Sequence, residues 1–247
     1  MSEPQIKKSL PGDILYDPST LLSEEDPLNK LNFDQVLKLG PGVTYQNDQL
    51  VAINAGELMV NQGQNKIWLE FDSKRYKPSV HDPVIGKIVG RQTDHYLVDV
   101  GCAFPAMLPH LAFEGATKNN KPNLNVGDLV YGRMTLCHKD MDPEMECYNS
   151  DTQKSQGFGP IVGGTLVRGS LGWSRSFLNN PKSILNTIGQ QLPFEVAIGV
   201  NGKIWIKSDT IQNTLAIKRI LLNFEKLDQS EWEEFVKDEL VKVKNLD

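Results

Sequence analysis

The sequence predicts a mixed, mostly β protein in three parts. These are a small N-terminal β domain over residues 1–75, a five-stranded closed barrel over 76–150 and an α+β domain over 151–247. Three observations support this reading. Short β-prone runs bounded by Gly, Asn and Asp fill the stretch after residue 40. Glycine-bent runs of alternating residues continue to about residue 148. The period then lengthens from two residues to a helical repeat within the last hundred residues.

The first forty residues are Pro- and acid-rich and read as loop, apart from the short apolar stretch 33–39. After the turn Leu39-Gly40-Pro41-Gly42-Val43, strands are expected over Leu50–Ile53, Gly56–Val60 and Lys66–Phe71. In the barrel, Pro83–Arg91 is the first strand, with Gly86 and Gly90 where a barrel strand must bend. The second runs through Tyr96, Val98 and Val100 to Gly101, and Phe104–Leu108 is the third. Val126–Met134 and Glu144–Tyr148 follow a longer loop at Lys118–Pro122. Five short strands in about seventy residues suit a barrel of the OB kind.

Residues 151–157 form a polar linker. Beyond it, Thr165–Arg168 is a strand, and Leu171–Leu178 and Ser183–Gln190 are helices. Phe194–Val200 and Lys203–Lys207 are strands, and Asp209–Lys226 is a helix with Asp209 and Gln212 placed to cap it. Ser230 and Glu233 mark a last helix with Trp232, Val236, Leu240 and Val243 along one face. That order predicts helices on one face of a small sheet.

The chain has 247 residues, 39% of them hydrophobic, enough to bury cores. No apolar run approaches the ~20 residues that cross a bilayer, and the N-terminus lacks the apolar stretch of a secretory signal. Three scattered cysteines make no disulfide framework, so a soluble, reduced, intracellular protein with no membrane partner is expected. Charge is uneven. Residues 1–73 hold 5 basic and 11 acidic side chains, 74–135 hold 8 and 5, and 154–224 hold 8 and 2. Two basic bodies in an acidic chain point to a polyanion partner, although an ordinary solvated surface has the same composition.

Gly199-Val200-Asn201-Gly202 admits two readings, a G-x-x-G phosphate clamp opening a helix or a β-hairpin with Asn-Gly in a type I′ turn. The flanks favour the hairpin. Phe194, Val196 and Ile198 alternate before it and Ile204 and Ile206 after it, with Lys203, Trp205 and Lys207 on the opposite face. Enzymatic constellations are absent. Asp140, Asp142, Glu144 and Glu146 form a carboxylate cluster suggestive of a metal nuclease, but Glu144 and Glu146 alternate with Met145 and Cys147 as a strand's solvent face does. Cys137, His138 and Cys147 match no zinc spacing, and Cys102 and Cys137 read as buried strand residues. No catalytic residue, metal or cofactor is expected.

Taken together, Pro11-Gly12-Asp13, Lys74-Arg75-Tyr76 with Pro78, Val126-Gly127-Asp128 and Gly199-Val200-Asn201-Gly202 resemble the cap subunits of the RNA exosome, which carry an S1 and a KH domain in that order. Leu39-Gly40-Pro41-Gly42 and Gly157-Phe158-Gly159, the latter at the entry to the KH part, make the chain similar to the ribosomal RNA-processing protein forty (exosome component three) family. The likeness covers nearly the whole chain. It implies an S1-type OB barrel, a KH-like α+β domain and a non-catalytic subunit. Such a subunit sits on a ring of RNase PH-like proteins with the other exosome subunits and guides RNA to 3'-5' processing and degradation. It also implies residence in the nucleus and nucleolus, and in the cytoplasm. The competing reading is a free-standing S1/KH RNA-binding regulator or translation-associated factor.

Between the first two helices, where an ordinary KH domain has its G-x-x-G, this chain reads Leu178-Asn179-Asn180-Pro181-Lys182. The outward residues expected on the second barrel strand are His95, Leu97 and Asp99 rather than the aromatics on which bases stack. His95, with Phe104 and His110 nearby, is left for stacking. Lys74, Arg75, Lys77, Lys87, Arg91, Lys118 and Lys121 are left for electrostatic attraction. RNA binding by the isolated chain is therefore expected to be weak and salt-sensitive. Trp173, Phe177 and Trp205 are core residues by default, with assembly contacts as the other role open to them.

Overall fold

Frequent Gly, Pro and Asn cut the chain into short strands, and the fold is built from their pairing. The computed structural model describes residues 7–18, 26–33, 35–138, 140–149, 152–179, 184–224, 235–236 and 238–239. Two compact units result, residues 1–72 and residues 73–247.

The first unit holds β1 (Lys8–Ser9), β2 (Ile14–Tyr16), β3 (Lys38–Leu39), β4 (Val43–Gln46), β5 (Gln49–Ala52), β6 (Gly56–Asn61) and β7 (Lys66–Glu70). They form a four-stranded sheet, β1-β6-β7-β3, and a three-stranded sheet, β2-β5-β4. Leu15, Leu28, Leu50, Leu58, Ile67 and Leu69 fill the space within, and Tyr16 stacks on Phe33 with ring centroids 4.0 Å apart. The strands expected from the sequence lie within a residue of those observed, while β1 to β4 come from stretches with no such pattern.

In the second unit β8 (Pro83–Arg91), β9 (His95–Asp99), β10 (Ala106–Pro109), β11 (Leu129–Leu136) and β12 (Glu144–Glu146) close a barrel. Closure is made by β12, which pairs β10 in parallel and β11 antiparallel. Val84, Ile88, Tyr96, Val98, Val130 and Met134 are its core. Two expected strand starts move inward. Phe104 lies outside β10, and Val126-Gly127 is a turn with Gly127 at φ 106°. A sixth strand, β13 (Gly159–Ile161), pairs antiparallel with β11. The stretch read as a polar linker and KH entry is stitched to the barrel. Asn149 bridges to Lys154, Ser155 N–H donates to Glu114 at 2.7 Å, and Phe158 packs on Tyr131.

Next come β14 (Thr165–Arg168), α1 (Leu171–Asn179), α2 (Ile184–Gly189), β15 (Phe194–Gly199), β16 (Lys203–Ser208) and α3 (Ile211–Asn223). The sheet order is β14-β16-β15. The helices bury Trp173, Phe177, Ile188, Ile217 and Leu221 against Val167, Ile204 and Ile206 of the sheet. Trp173 and Phe177 meet edge to face, and the Trp173 indole donates to the Leu221 carbonyl. Both are core residues and offer no surface to a partner. The cap of α3 is Thr210, whose hydroxyl accepts from Asn213 N–H at 3.2 Å, rather than Asp209 or Gln212. Of the expected last helix, Val236 is buried in this core, while Ser230, Trp232, Glu233, Leu240 and Val243 lie outside the described residues.

Candidate nucleic-acid interface

One end of the barrel gathers much of the predicted basic character. The β8–β9 hairpin ends there, and the loop from β10 to β11 folds back over it. Tyr96 OH donates to the Pro122 carbonyl at 2.7 Å and accepts from Leu124 N–H at 3.3 Å, and Arg91 donates to Asn123 at 2.6 Å. Lys118 stands at the tip of a tight turn closed by Thr117 and Asn120. Arg91, His95, Lys118 and Lys121 thus share this end, all but half-buried His95 being exposed. In OB barrels the loop between the first two strands, here that of the β8–β9 hairpin, lines the oligonucleotide site.

His110 lies among them but is only 4% exposed. Its ring packs on Tyr96 at 4.3 Å and its Nδ1 is 3.2 Å from Lys121 Nζ. The ring has no free face for a base, which corrects the expectation that it stacks. Burial first, then the charges of Lys121 and Arg91, hold its pKa below the usual 6.5. A neutral imidazole accepting from Lys121 fits that environment and ties the loop down.

Lys87 lies midway along β8, opposite Asp99 in register, so its field is opposed by a carboxylate on the neighbouring strand. The outward residues of β9 are His95, Leu97 and Asp99, as expected. Leu97 sits between Gly90 and Met107, and Phe104, 64% exposed, stands in the β9–β10 loop. Lys74, Arg75 and Lys77 precede the opposite end of β8, roughly 27 Å of strand away from Arg91. Tyr76 between them is buried and donates to Asp82 at 2.6 Å, which fixes that segment on the barrel while the three cations face solvent. The nine candidate residues therefore form no single patch. They divide into a loop cluster, an isolated strand lysine and a remote basic segment.

Gly199–Gly202 closes a β15–β16 hairpin, as the alternation predicted, but not by a type I′ turn. Gly199 pairs with Lys203 across a three-residue loop in which Gly202 alone has positive φ, at 73°. This frees Asn201 to turn its side chain into the barrel. Its amide donates to the carbonyls of Ile85 (2.9 Å) and Val100 (2.7 Å) and accepts from Ile85 N–H (3.3 Å). Val200 N–H donates to the Pro83 carbonyl at 2.9 Å and Tyr131 OH to the Ile198 carbonyl at 3.3 Å. A Cβ on Gly199 would stand 2.8 Å from Ile85 N, so only glycine permits the approach. The backbone that a G-x-x-G clamp turns to phosphate is here spent on the neighbouring domain.

Lys203 and Trp205, on the less apolar face of the hairpin, are 8% and 6% exposed, Trp205 as a core residue is expected to be. Lys203 Nζ donates to the Asp99 carbonyl at 3.1 Å and Trp205 to the Gly163 carbonyl at 2.8 Å. Burial lowers the Lys203 pKa, with Asp99 acting against that shift. Period-two alternation cannot reveal such burial, because it describes one sheet and not what covers its other face. Of the carboxylate cluster, Glu146 is buried and paired with Arg133 at 2.6 Å rather than solvated. No group of three or more His, Cys, Asp or Glu among the described residues is arranged to hold a metal. Cys102 and Cys137 lie half-exposed outside strands, and Cys147 is the buried one. Burial raises the pKa of Cys137 to about 11.

A small β domain followed by a barrel locked to a KH-type sheet through an Asn side chain defines a class of S1–KH RNA-binding proteins. Comparison bears this out in all three parts. Residues 76–159 match the family described as exosome complex component RRP40, S1 domain; residues 164–212 match the KH domain; residues 37–75 match the exosome complex exonuclease Rrp40 N-terminal domain. The exosome complex component rrp40 of Schizosaccharomyces pombe is 36% identical over 225 residues, covering 89% of this chain and 93% of that protein. The Homo sapiens RRP40 is 40% identical over 189 residues, covering 74% and 68%. A crystal structure of a proposed exosome complex RNA-binding protein shares the fold, with a TM-score of 0.56 at 19% identity over 67% of this chain and 97% of that one. The chain belongs to the Rrp40 family of exosome complex components.

Proposed function

We propose that this chain is a non-catalytic cap subunit of the RNA exosome. It scaffolds a ring of RNase PH-like subunits and offers a basic lip to RNA entering for 3'-5' processing and degradation. It works without a cofactor, in the nucleus and nucleolus and also in the cytoplasm. The observation that carries this reading is the Asn201 joint. The KH glycines brace the barrel instead of gripping phosphate, and β9 presents Leu97 and Asp99 where a strong binder presents aromatic rings. What remains for RNA is the field of Arg91, Lys118 and Lys121 at the loop end and of Lys74, Arg75 and Lys77 at the other.

Tagging the chain in its source cells and identifying its stoichiometric partners tests this. The expected result is a large assembly containing RNase PH-like proteins, while the purified chain leaves labelled RNA intact with or without Mg²⁺. A chain that elutes alone and binds RNA tightly is the regulator instead.

A further inference from the structure

The last sheet keeps an open edge. The order β14-β16-β15 leaves β15 outermost, paired among the described strands with β16 alone. Backbone groups along a strand face alternate sides, and two contacts show which residues face away from β16. The Ile198 carbonyl takes the Tyr131 hydroxyl and Val200 N–H reaches the Pro83 carbonyl. Alternation turns the N–H and C=O of Val196 the same way. Val196 is 36% exposed, and no described residue bonds to it on that side.

Facing this edge is a groove of about 530 Å³. Val196, Ala197 and Trp205 form one wall, and Tyr131, Pro160 and Ile161 form the other. Pro160 and Ile161 of the second wall belong to β13 and Tyr131 to β11, so the groove brings together the outermost strands of two sheets, β13 and β15. They are guarded differently. Pro160 removes a donor from the β13 edge, whereas β15 has no proline, and its one charge, Glu195, lies 3.7 Å from Lys207 of β16.

We propose that the β15 edge accepts an extended segment of a partner protein, added as a strand alongside Val196 in the groove between β15 and β13. The unpaired donor and acceptor of Val196 match a peptide backbone, and the aliphatic residues beside them suit an aliphatic side chain. RNA is disfavoured, because the one cation lining the groove, Lys207, already faces Glu195. This inference concerns whichever assembly the chain occupies and does not depend on that assembly being the exosome.

The test uses the full chain purified from its source cells with its partners, composition being read separately. A photo-reactive benzoylphenylalanine replaces Val162, which is 77% exposed and lines the groove. The expected product is one cross-link to an extended segment of another polypeptide. Val196→Pro, which deletes the outward N–H, should lower its yield at least tenfold, and Val196→Thr should not. Amide exchange at Val196 in the unmutated chain gives an answer that does not depend on folding of the proline variant. It should slow at least a hundredfold in the assembly relative to the free chain. Unchanged exchange, a cross-link to RNA or to a second copy, or no cross-link overturns the proposal.

Discussion

Replacing Asn201 by alanine removes the joint between barrel and KH-type sheet at its centre. The side chain is 7% exposed and makes three hydrogen bonds of 2.7, 2.9 and 3.3 Å. A neutral bond contributes about 1 kcal/mol net, and a buried group left unpaired costs about 1–3 kcal/mol. Two carbonyls and one N–H lose their partner, the N–H having held the longest bond. The expected loss is therefore about 3 kcal/mol. Urea unfolding of the full chain followed by tryptophan fluorescence is a direct assay, since Trp173 and Trp205 are both buried in this unit. For a unit of this size the loss corresponds to a fall in Tm of roughly 6–12 °C. Asn201→Asp separates hydrogen bonding from packing. It keeps the shape but sets a carboxylate against the Ile85 and Val100 carbonyls, so it should cost at least as much as alanine. A loss under about 0.5 kcal/mol in Asn201→Ala, or wild-type stability in Asn201→Asp, would refute the assignment of the joint to this side chain.

Three further outcomes are expected. In a filter-binding titration, RNA affinity should fall steeply with salt, and replacing Arg91, Lys118 and Lys121 together by alanine should flatten the log–log slope by roughly 2; a slope unchanged by the triple variant would remove the loop end from the RNA path. The His110 imidazole should titrate below 6.5 by NMR and move up in Lys121→Met, because one of the charges depressing it is gone. Since the unfolded chain takes up that proton first, stability should be level above pH 6.5 and decline as the pH falls from there through the folded-state value. Glu146→Ala removes the carboxylate that lies 2.6 Å from the Arg133 guanidinium and should cost about 2 kcal/mol in chemical denaturation, whereas Asp142→Ala at an exposed position should change little.

Local pattern made β8, β14 and the three helices of the KH-type domain legible, because alternation and helical repeats are written within each segment. Contacts between segments were not legible. Asn201 was read as a turn residue, since nothing within ten residues of it hints at Ile85 or Val100, more than a hundred positions away. The strand β13 was hidden by Gly157, Gly159 and Pro160, residues that signal a loop when no neighbour is in view. His110 was taken for an open ring because burial under the β10–β11 loop depends on where Tyr96 and Pro122 bring that loop. Among the candidate residues, the sequence identified the cations but not their separation, which is set by the length of β8.

Only residues 162–164 lie between β13 of the barrel sheet and β14 of the KH-type sheet, and the Gly163 carbonyl holds the Trp205 indole. So short a tether leaves no slack for one module to swing about the other. Loosening the barrel's last strand and freeing the first strand of its neighbour become a single event. Inserted residues tolerated elsewhere on the surface would here decouple two bodies that otherwise respond to load as one rigid lever.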